Sequence, residues 1–165
     1  MFDRFRTDTS RWVRNGAFEI LGPFLHTLGK DLVLPETLQL YTNIPQLTHS
    51  VVDAEVNFFC AFNFPAVALA LGPERWNELV DCFNTLARDP KFPVRRTLAS
   101  SLHTVARIIG PELTERDLVP VANSLLKDLD EVKTPLLKNL GKFLLTLSPV
   151  SRQSYLQVMA MITLY

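Results

Sequence analysis

Apolar and polar positions follow a helical period along much of the chain, most clearly in the stretch VRRTLASSLHTVARIIGP, Val94 to Pro111. Val94, Leu98, Leu102, Val105 and Ile109 share one face of a 3.6-residue helix, and Arg95, Arg96, Ser100, Ser101 and Arg107 occupy much of the remainder. Gly110-Pro111 closes it, because Gly accepts the left-handed backbone of a helix end and Pro cannot continue the ladder. The pattern recurs. Val132, Leu136, Leu140, Phe143 and Leu147 repeat it 38 residues later, with Ser148-Pro149 as the stop. Val56, Cys60, Phe64, Val67 and Leu71 repeat it 38 residues earlier and end on Gly72-Pro73. Val13, Ala17, Leu21, Phe24 and Leu28 precede those by 43 residues and end on Gly29. Four copies in register make an internal repeat.

Between these helices the chain supplies partners. Glu74 to Arg88 carries the stripe Trp76, Leu79, Val80, Phe83, Leu86 and Ala87. A second partner is predicted from about Asp117 to Leu126, opened by Thr114-Glu115-Arg116-Asp117, which has capping-box spacing. Pro135 is placed in the first turn of the following helix, and Gly22-Pro23 and Pro65 are expected to kink theirs. Met1, Phe2 and Phe5 read as a last helical turn, Pro35 to Tyr41 as a short helix, and Asn43 to Ser50 as loop. A helix–turn–helix unit of this length suits HEAT-like repeats better than the shorter tetratricopeptide or ankyrin units. The expected fold is therefore all-α: antiparallel helix hairpins stacked as a short α-solenoid of about four repeats, one array over residues 1–165. The second helices fall at about 12–28, 56–71, 94–109 and 132–147, with 30–55 irregular. In such arrays the first helix of each pair lines the convex side and the second the concave side.

Asp8, Asp89 and Asp128 stand just ahead of three Val columns, and Arg14, Arg95 and Lys133 directly follow them. An Asp so placed can accept bonds from free helix N–H groups, or pair with the base of its own or the next repeat. In the second copy Asp53 stands nearer its Val and Asn57 replaces the base, so the ladder is expected to break there.

Composition narrows the function. The 47% hydrophobic share and eleven Phe can fill a core. Lys+Arg and Asp+Glu balance at 17 each, which gives no footprint for nucleic acid or an anionic membrane. No segment has the run of about 20 apolar residues that spans a bilayer, and the N-terminus lacks the apolar core of a signal peptide. Cys60 and Cys82 sit in apolar helical contexts and read as buried free thiols, so the expected location is intracellular, in cytoplasm or nucleus. His26, His49 and His103 have no metal-ligand spacing, Ser100-Ser101 lies mid-helix, and no Gly-rich phosphate loop occurs. The reading is not an enzyme, with no cofactor and no metal.

The strings FNFPAVALALGPERW (Phe62 to Trp76), KFPVRRTLASSLHTVARIIG (Lys91 to Gly110), DLVP (Asp117 to Pro120) and LLKDLDEVKTPLLKNLGKFL (Leu125 to Leu144) resemble the HEAT-repeat family of protein phosphatase 4 regulatory subunit 1. The resemblance is good over about 56–157, fair over 1–29 and poor over 30–55, where the family's long acidic insertion is absent. It implies a non-catalytic scaffold that binds a type 4, 2A-like serine/threonine phosphatase catalytic subunit and modulates its activity or targeting. It also implies partner contacts on the turns within repeats, which here carry Arg11-Trp12, Lys91-Phe92 and Asp130-Glu131. The alternative reading is that Trp12 and Phe92 simply pack those turns. Arg95, Arg96, Lys138 and Lys142 form a basic inner face for an acidic partner, or else a solvated surface and part of the Asp ladder. The family is much longer than this chain, which thus reads as an internal fragment, short isoform or shortened paralogue, with lost or competing function as the alternative. Tyr155, Met159, Ile162 and Leu164 form a closing apolar stripe whose exposure would favour self-association.

Overall fold

In the computed structural model, which describes residues 2–46, 55–153 and 155, the four Val columns lie on four neighbouring helices. These are α2 (Arg11–Leu28), α4 (Val56–Leu71), α6 (Phe92–Ile109) and α9 (Asp130–Leu144), and each packs on the next. A single helical turn, α1 (Phe2–Arg6), lies against α2, where the Phe2 ring meets Phe18 edge-on at 5.8 Å. A second layer covers one side of the row. It contains α3 (Pro35–Thr42), α5 (Val80–Ala87), and the contiguous α7 (Pro111–Leu113) and α8 (Val119–Leu125). Residues 149–153 are helical and Tyr155 is buried against Phe143. The architecture is an all-α solenoid with no strand among the described residues. Met159, Ile162 and Leu164 lie outside them.

One continuous core runs between the layers, from Phe18 to Tyr155. Its aromatic centre is Phe64 of α4, in ring contact with Tyr41, Trp76 and Phe83. The Tyr41 hydroxyl, buried there, donates to the Cys60 carbonyl at 2.7 Å. Gly29, Gly72 and Gly110 end α2, α4 and α6 with φ of 73°, 74° and 85°, a region in which a side chain would be strained. α9 has no such glycine. It stops at Leu144, short of the expected 147, and tightens into three-residue turns from Thr146 N–H to Phe143 O and from Leu147 N–H to Leu144 O.

The partner helices depart from their sequence outlines. The Glu74 to Arg88 segment divides into a 3₁₀ helix, Pro73–Glu78, and α5. Three residues per turn put Trp76 and Leu79 on one side, and both are fully buried. The next partner begins at Pro111 rather than Asp117, and passes through a π-helical turn at Thr114–Leu118. Pro120 cannot donate to the carbonyl four residues back and crowds it, and the ladder widens just ahead of it: Val119 N–H reaches Thr114 O. Thr114 makes no cap. Its hydroxyl is buried and donates to Ala106 O at 3.2 Å, tying this helix to the end of α6.

Proline is absorbed differently in each inner helix. Gly22-Pro23 does not end α2. Pro23 leaves the Glu19 carbonyl without its usual donor, and Asn63 of α4 supplies one, its Nδ2 lying 3.0 Å from Glu19 O and 2.9 Å from Phe18 O. Pro65 lies inside α4, which likewise continues. Pro135 lies beyond the first turn of α9, because that helix starts at Asp130, earlier than its sequence outline.

Two rungs of the Asp ladder form among the described residues, and Asn57 makes one of them in place of a base. Asn57 Nδ2 donates to Asp89 Oδ2 at 2.6 Å, and Arg95 grips Asp128 with two bonds of 2.6 and 2.8 Å. An amide thus does in one repeat what a guanidinium does in the next. The same residues close their own turns. Arg14 Nη1 donates to Asp8 O and Thr9 O, and Arg95 Nη1 to Asp89 O and Pro90 O. Asp8, Asp89 and Asp128 each accept a backbone N–H one or two residues on. Lys133 does not join the ladder and pairs with Asp130 at 2.8 Å. Asp53 lies outside the described residues.

Candidate functional site

The ladder fixes a row of turns, and each turn presents its next residues outward. Trp12, at the start of α2, is 85% exposed, and Phe92, at the start of α6, is 38% exposed. Trp12 therefore does not pack its turn. Arg11 pairs with Glu55 at 2.9 Å, joining the first turn to the start of α4. Lys91 and Glu131 are exposed, as is Asp130, whose carboxyl is held below its usual range by the Lys133 ammonium. These six side chains lie on three turns of one edge, where inner helices begin.

Arg95 and Arg96 part company. The Arg95 guanidinium is half-buried and spent on Asp128 and on turn carbonyls. That pairing holds the Asp128 carboxyl below its ordinary range. Arg96, one position on, is exposed and lies over a groove of about 500 Å³ lined also by Asp130, Glu131, Thr134, Pro135 and Lys138. Lys138 and Lys142 are exposed on α9. His103, between them and Arg107, has its pKa lowered first by burial and then by the Lys142 and Arg107 charges. Arg107 thus belongs with this group. Its place thirteen residues after Val94, matching Leu69 after Val56, is the signal by which the repeat itself marks it.

Two further polar links lie at the opposite edge, where α4 and α6 end and the outer segments begin. The Trp76 indole donates to Asp117 Oδ2 at 2.7 Å, and Arg116 bonds both oxygens of that carboxylate. Asp117 is held below its usual range by Arg116 first, and also by Trp76. Arg75 bonds Glu78 twice and reaches back to the Lys30 and Val33 carbonyls. Local spacing carries no trace of the Trp76–Asp117 bond or of Arg75's reach to Lys30 and Val33. Cys60 and Cys82 are free buried thiols with sulfurs 3.9 Å apart, and the neighbouring Cys60 thiol first, then burial, raise the Cys82 pKa. Among the described residues no three His, Cys, Asp or Glu side chains converge as a metal site, and no helix is long and apolar enough to cross a membrane.

The family model of the protein phosphatase 4 regulatory subunit 1 middle domain matches residues 60–162. The chain is 43% identical over 128 residues to serine/threonine-protein phosphatase 4 regulatory subunit 1 of Homo sapiens, covering 77% of this chain and 14% of that relative. This chain belongs to the protein phosphatase 4 regulatory subunit 1 family. The Mus musculus subunit 1 matches to the same extent. Regulatory subunit 4 of Mus musculus is 31% identical over 111 residues, 62% of this chain and 12% of that protein. The chain spans about one seventh of the length of the subunit 1 relatives it matches. The matched middle-domain region holds α5, α6, α8 and α9, and with them the Arg95–Asp128 rung and the turns bearing Lys91-Phe92 and Asp130-Glu131.

Proposed function

We propose that this chain serves as a non-catalytic scaffold segment of a phosphatase 4 regulatory subunit, holding the type 4 catalytic subunit along its row of turns. Arg11, Trp12, Lys91, Phe92, Asp130 and Glu131 make the contacts, and Arg95 acts indirectly by locking the turns between them. The single observation that carries this reading is Trp12: an indole 85% exposed at the head of a helix whose entry turn is tied by Asp8 and Arg14. A large, preordered aromatic in water has much to gain from burial against a partner, and such residues dominate binding energy at interfaces. The printed names of the relatives, regulatory subunits of a serine/threonine phosphatase, supply the partner class. The compartment is cytosolic or nuclear, where the adjacent Cys60 and Cys82 thiols would persist in reduced form.

The test is co-purification of the phosphatase 4 catalytic subunit with the chain, with circular dichroism and a thermal melt on the same sample. The expected result is a helical, cooperatively melting chain that retains the catalytic subunit. Trp12→Ala is expected to weaken the complex about tenfold or more, the scale of an interface hot spot, without lowering the melting temperature. A folded chain that leaves the catalytic subunit in the flow-through would refute the assignment.

A further inference from the structure

The inner helices carry a second surface, away from the turns. α4 is flanked by α2 and α6 and covered by α5 and the 3₁₀ helix Pro73–Glu78. Its remaining side stays open and displays Phe58, Phe62 and Leu69, with the Phe58 and Phe62 rings stacked at 6.4 Å and 17°. The repeat carries the same side onto α6 and α9. The position of Phe58 becomes Arg96, that of Phe62 becomes Lys138 two repeats on, and that of Leu69 becomes Arg107. Lys142 completes the set, 3.4 Å from Asn139 Oδ1. The face is therefore apolar on α4 and cationic on α6 and α9.

Chain neutrality hides this division. α4 contains no Asp, Glu, Lys or Arg, and α6 contains three arginines and no acid. The acids of α9, Asp130 and Glu131, stand at its start, ahead of Lys138 and Lys142. The second layer carries the acids Glu74, Glu78, Asp81, Glu112, Glu115 and Asp117 against the bases Arg75, Arg88 and Arg116, and is acidic on balance. The fold thus sorts a balanced composition into an inner cationic side and an outer acidic one. His103 lies among these charges: burial first, and then Lys142 and Arg107, disfavour its protonation.

We propose that the open face of α4, α6 and α9 docks an acidic peptide segment, its apolar residues on Phe58, Phe62 and Leu69 and its carboxylates on Arg96, Arg107, Lys138 and Lys142. Charge complementarity selects the acid, and the exposed aromatic pair selects the anchor. Neighbouring helices lie about 8–10 Å apart, so the two halves are separated by two such steps at most. An extended strand covers that span in about five or six residues. The occupant is a short run in which apolar anchors precede or follow an acidic cluster at that interval. At Arg96 and Lys138 this surface adjoins the Asp130-Glu131 turn, which lines the same groove, while Phe58, Phe62, Leu69 and Arg107 stand apart from the turns assigned to the catalytic subunit.

The experiment measures fluorescence anisotropy of a labelled peptide titrated with the full chain. The probe joins two leucines and a phenylalanine, through a Gly-Ser spacer, to four glutamates. Saturable binding is expected, weakened about tenfold by Phe62→Ser and about tenfold by Lys138→Glu. Both side chains are exposed, and both variants are expected to melt like the parent. Replacing the glutamates by arginines should abolish binding. The proposal is overturned if no binding occurs, or if either variant binds like the parent. It is also overturned if a glutamate-only peptide binds as well as the probe, which would mean simple ion exchange. Tighter binding of a single-stranded oligonucleotide than of the probe would overturn it in favour of nucleic acid.

Discussion

Asn63 and Gly22 show how a single contact reads differently at the residue scale from either sequence position alone. A methyl group at Gly22 would lie 2.6 Å from the Asn63 Cβ, closer than atoms pack. Gly16, on the same helix, has open space around its missing side chain. Gly22→Ala should therefore cost about 1–3 kcal/mol through overpacking. Gly16→Ala should be neutral or stabilise by up to about 1 kcal/mol. Urea unfolding of the two variants separates these outcomes, and equal effects would contradict the close approach. The Arg95–Asp128 rung makes a second residue-scale prediction. Its bonds hold the Asp128 pKa low in the folded chain. The unfolded chain then binds the proton more readily on acidification, so the contribution is present above the ordinary carboxylate pKa. It is lost as pH falls through the lower, folded value. Asp128→Asn should cost about 1–2 kcal/mol at neutral pH, and the gap between variant and parent should close under acid. A gap independent of pH would mean that the charge contributes nothing. Sequence spacing pointed to an Asp ladder, yet not to Asn57 as a rung, because an amide in the place of a base looks like a break until its 2.6 Å partner is known.

At the element scale, the inner helices were legible and the outer ones were not. An inner helix such as α6 presents a regular apolar stripe to neighbours on both flanks, so its period survives in the sequence. The outer segments are shaped by one or two anchors. Trp76 draws Pro73–Glu78 into a 3₁₀ coil, and Pro120 widens the turn before α8. Trp76→Phe keeps a ring against Phe64 and Phe83, removes the N–H to Asp117 and leaves a small void where the rest of the buried indole stood. It should cost about 2–3 kcal/mol, the lost bond and the void together, and raise the Asp117 pKa toward the ordinary range, measurable by NMR titration. Arg116, the larger influence, should still keep it below that range. An unshifted Asp117 would mean that the indole bond does not form in solution.

For the whole molecule, α6 is the joint: it packs on α4 and α9 and meets the outer segments from both adjoining repeats. Leu102, at its middle, is fully buried. Leu102→Ala should cost about 2–5 kcal/mol. Its loss of hydrogen-exchange protection should extend over α4 and α9 together, since one core joins them. Loss confined to α6 would mean that the repeats unfold independently.

The sequence by itself determined the repeat, its all-α class, the inner apolar columns and the family, because each rests on spacing along one helix or on strings of adjacent residues. Only the tertiary structure decided which of two neighbouring arginines is held and which is offered. Arg95 and Arg96 are equivalent in composition and differ by one helical step, about 100° around the axis. That step turns one toward Asp128 in the next repeat and the other toward open solvent. The sorting of a neutral chain into a cationic inner side and an acidic outer side arises in the same way. Charge is set by composition, but its direction is set by packing between segments more than thirty residues apart.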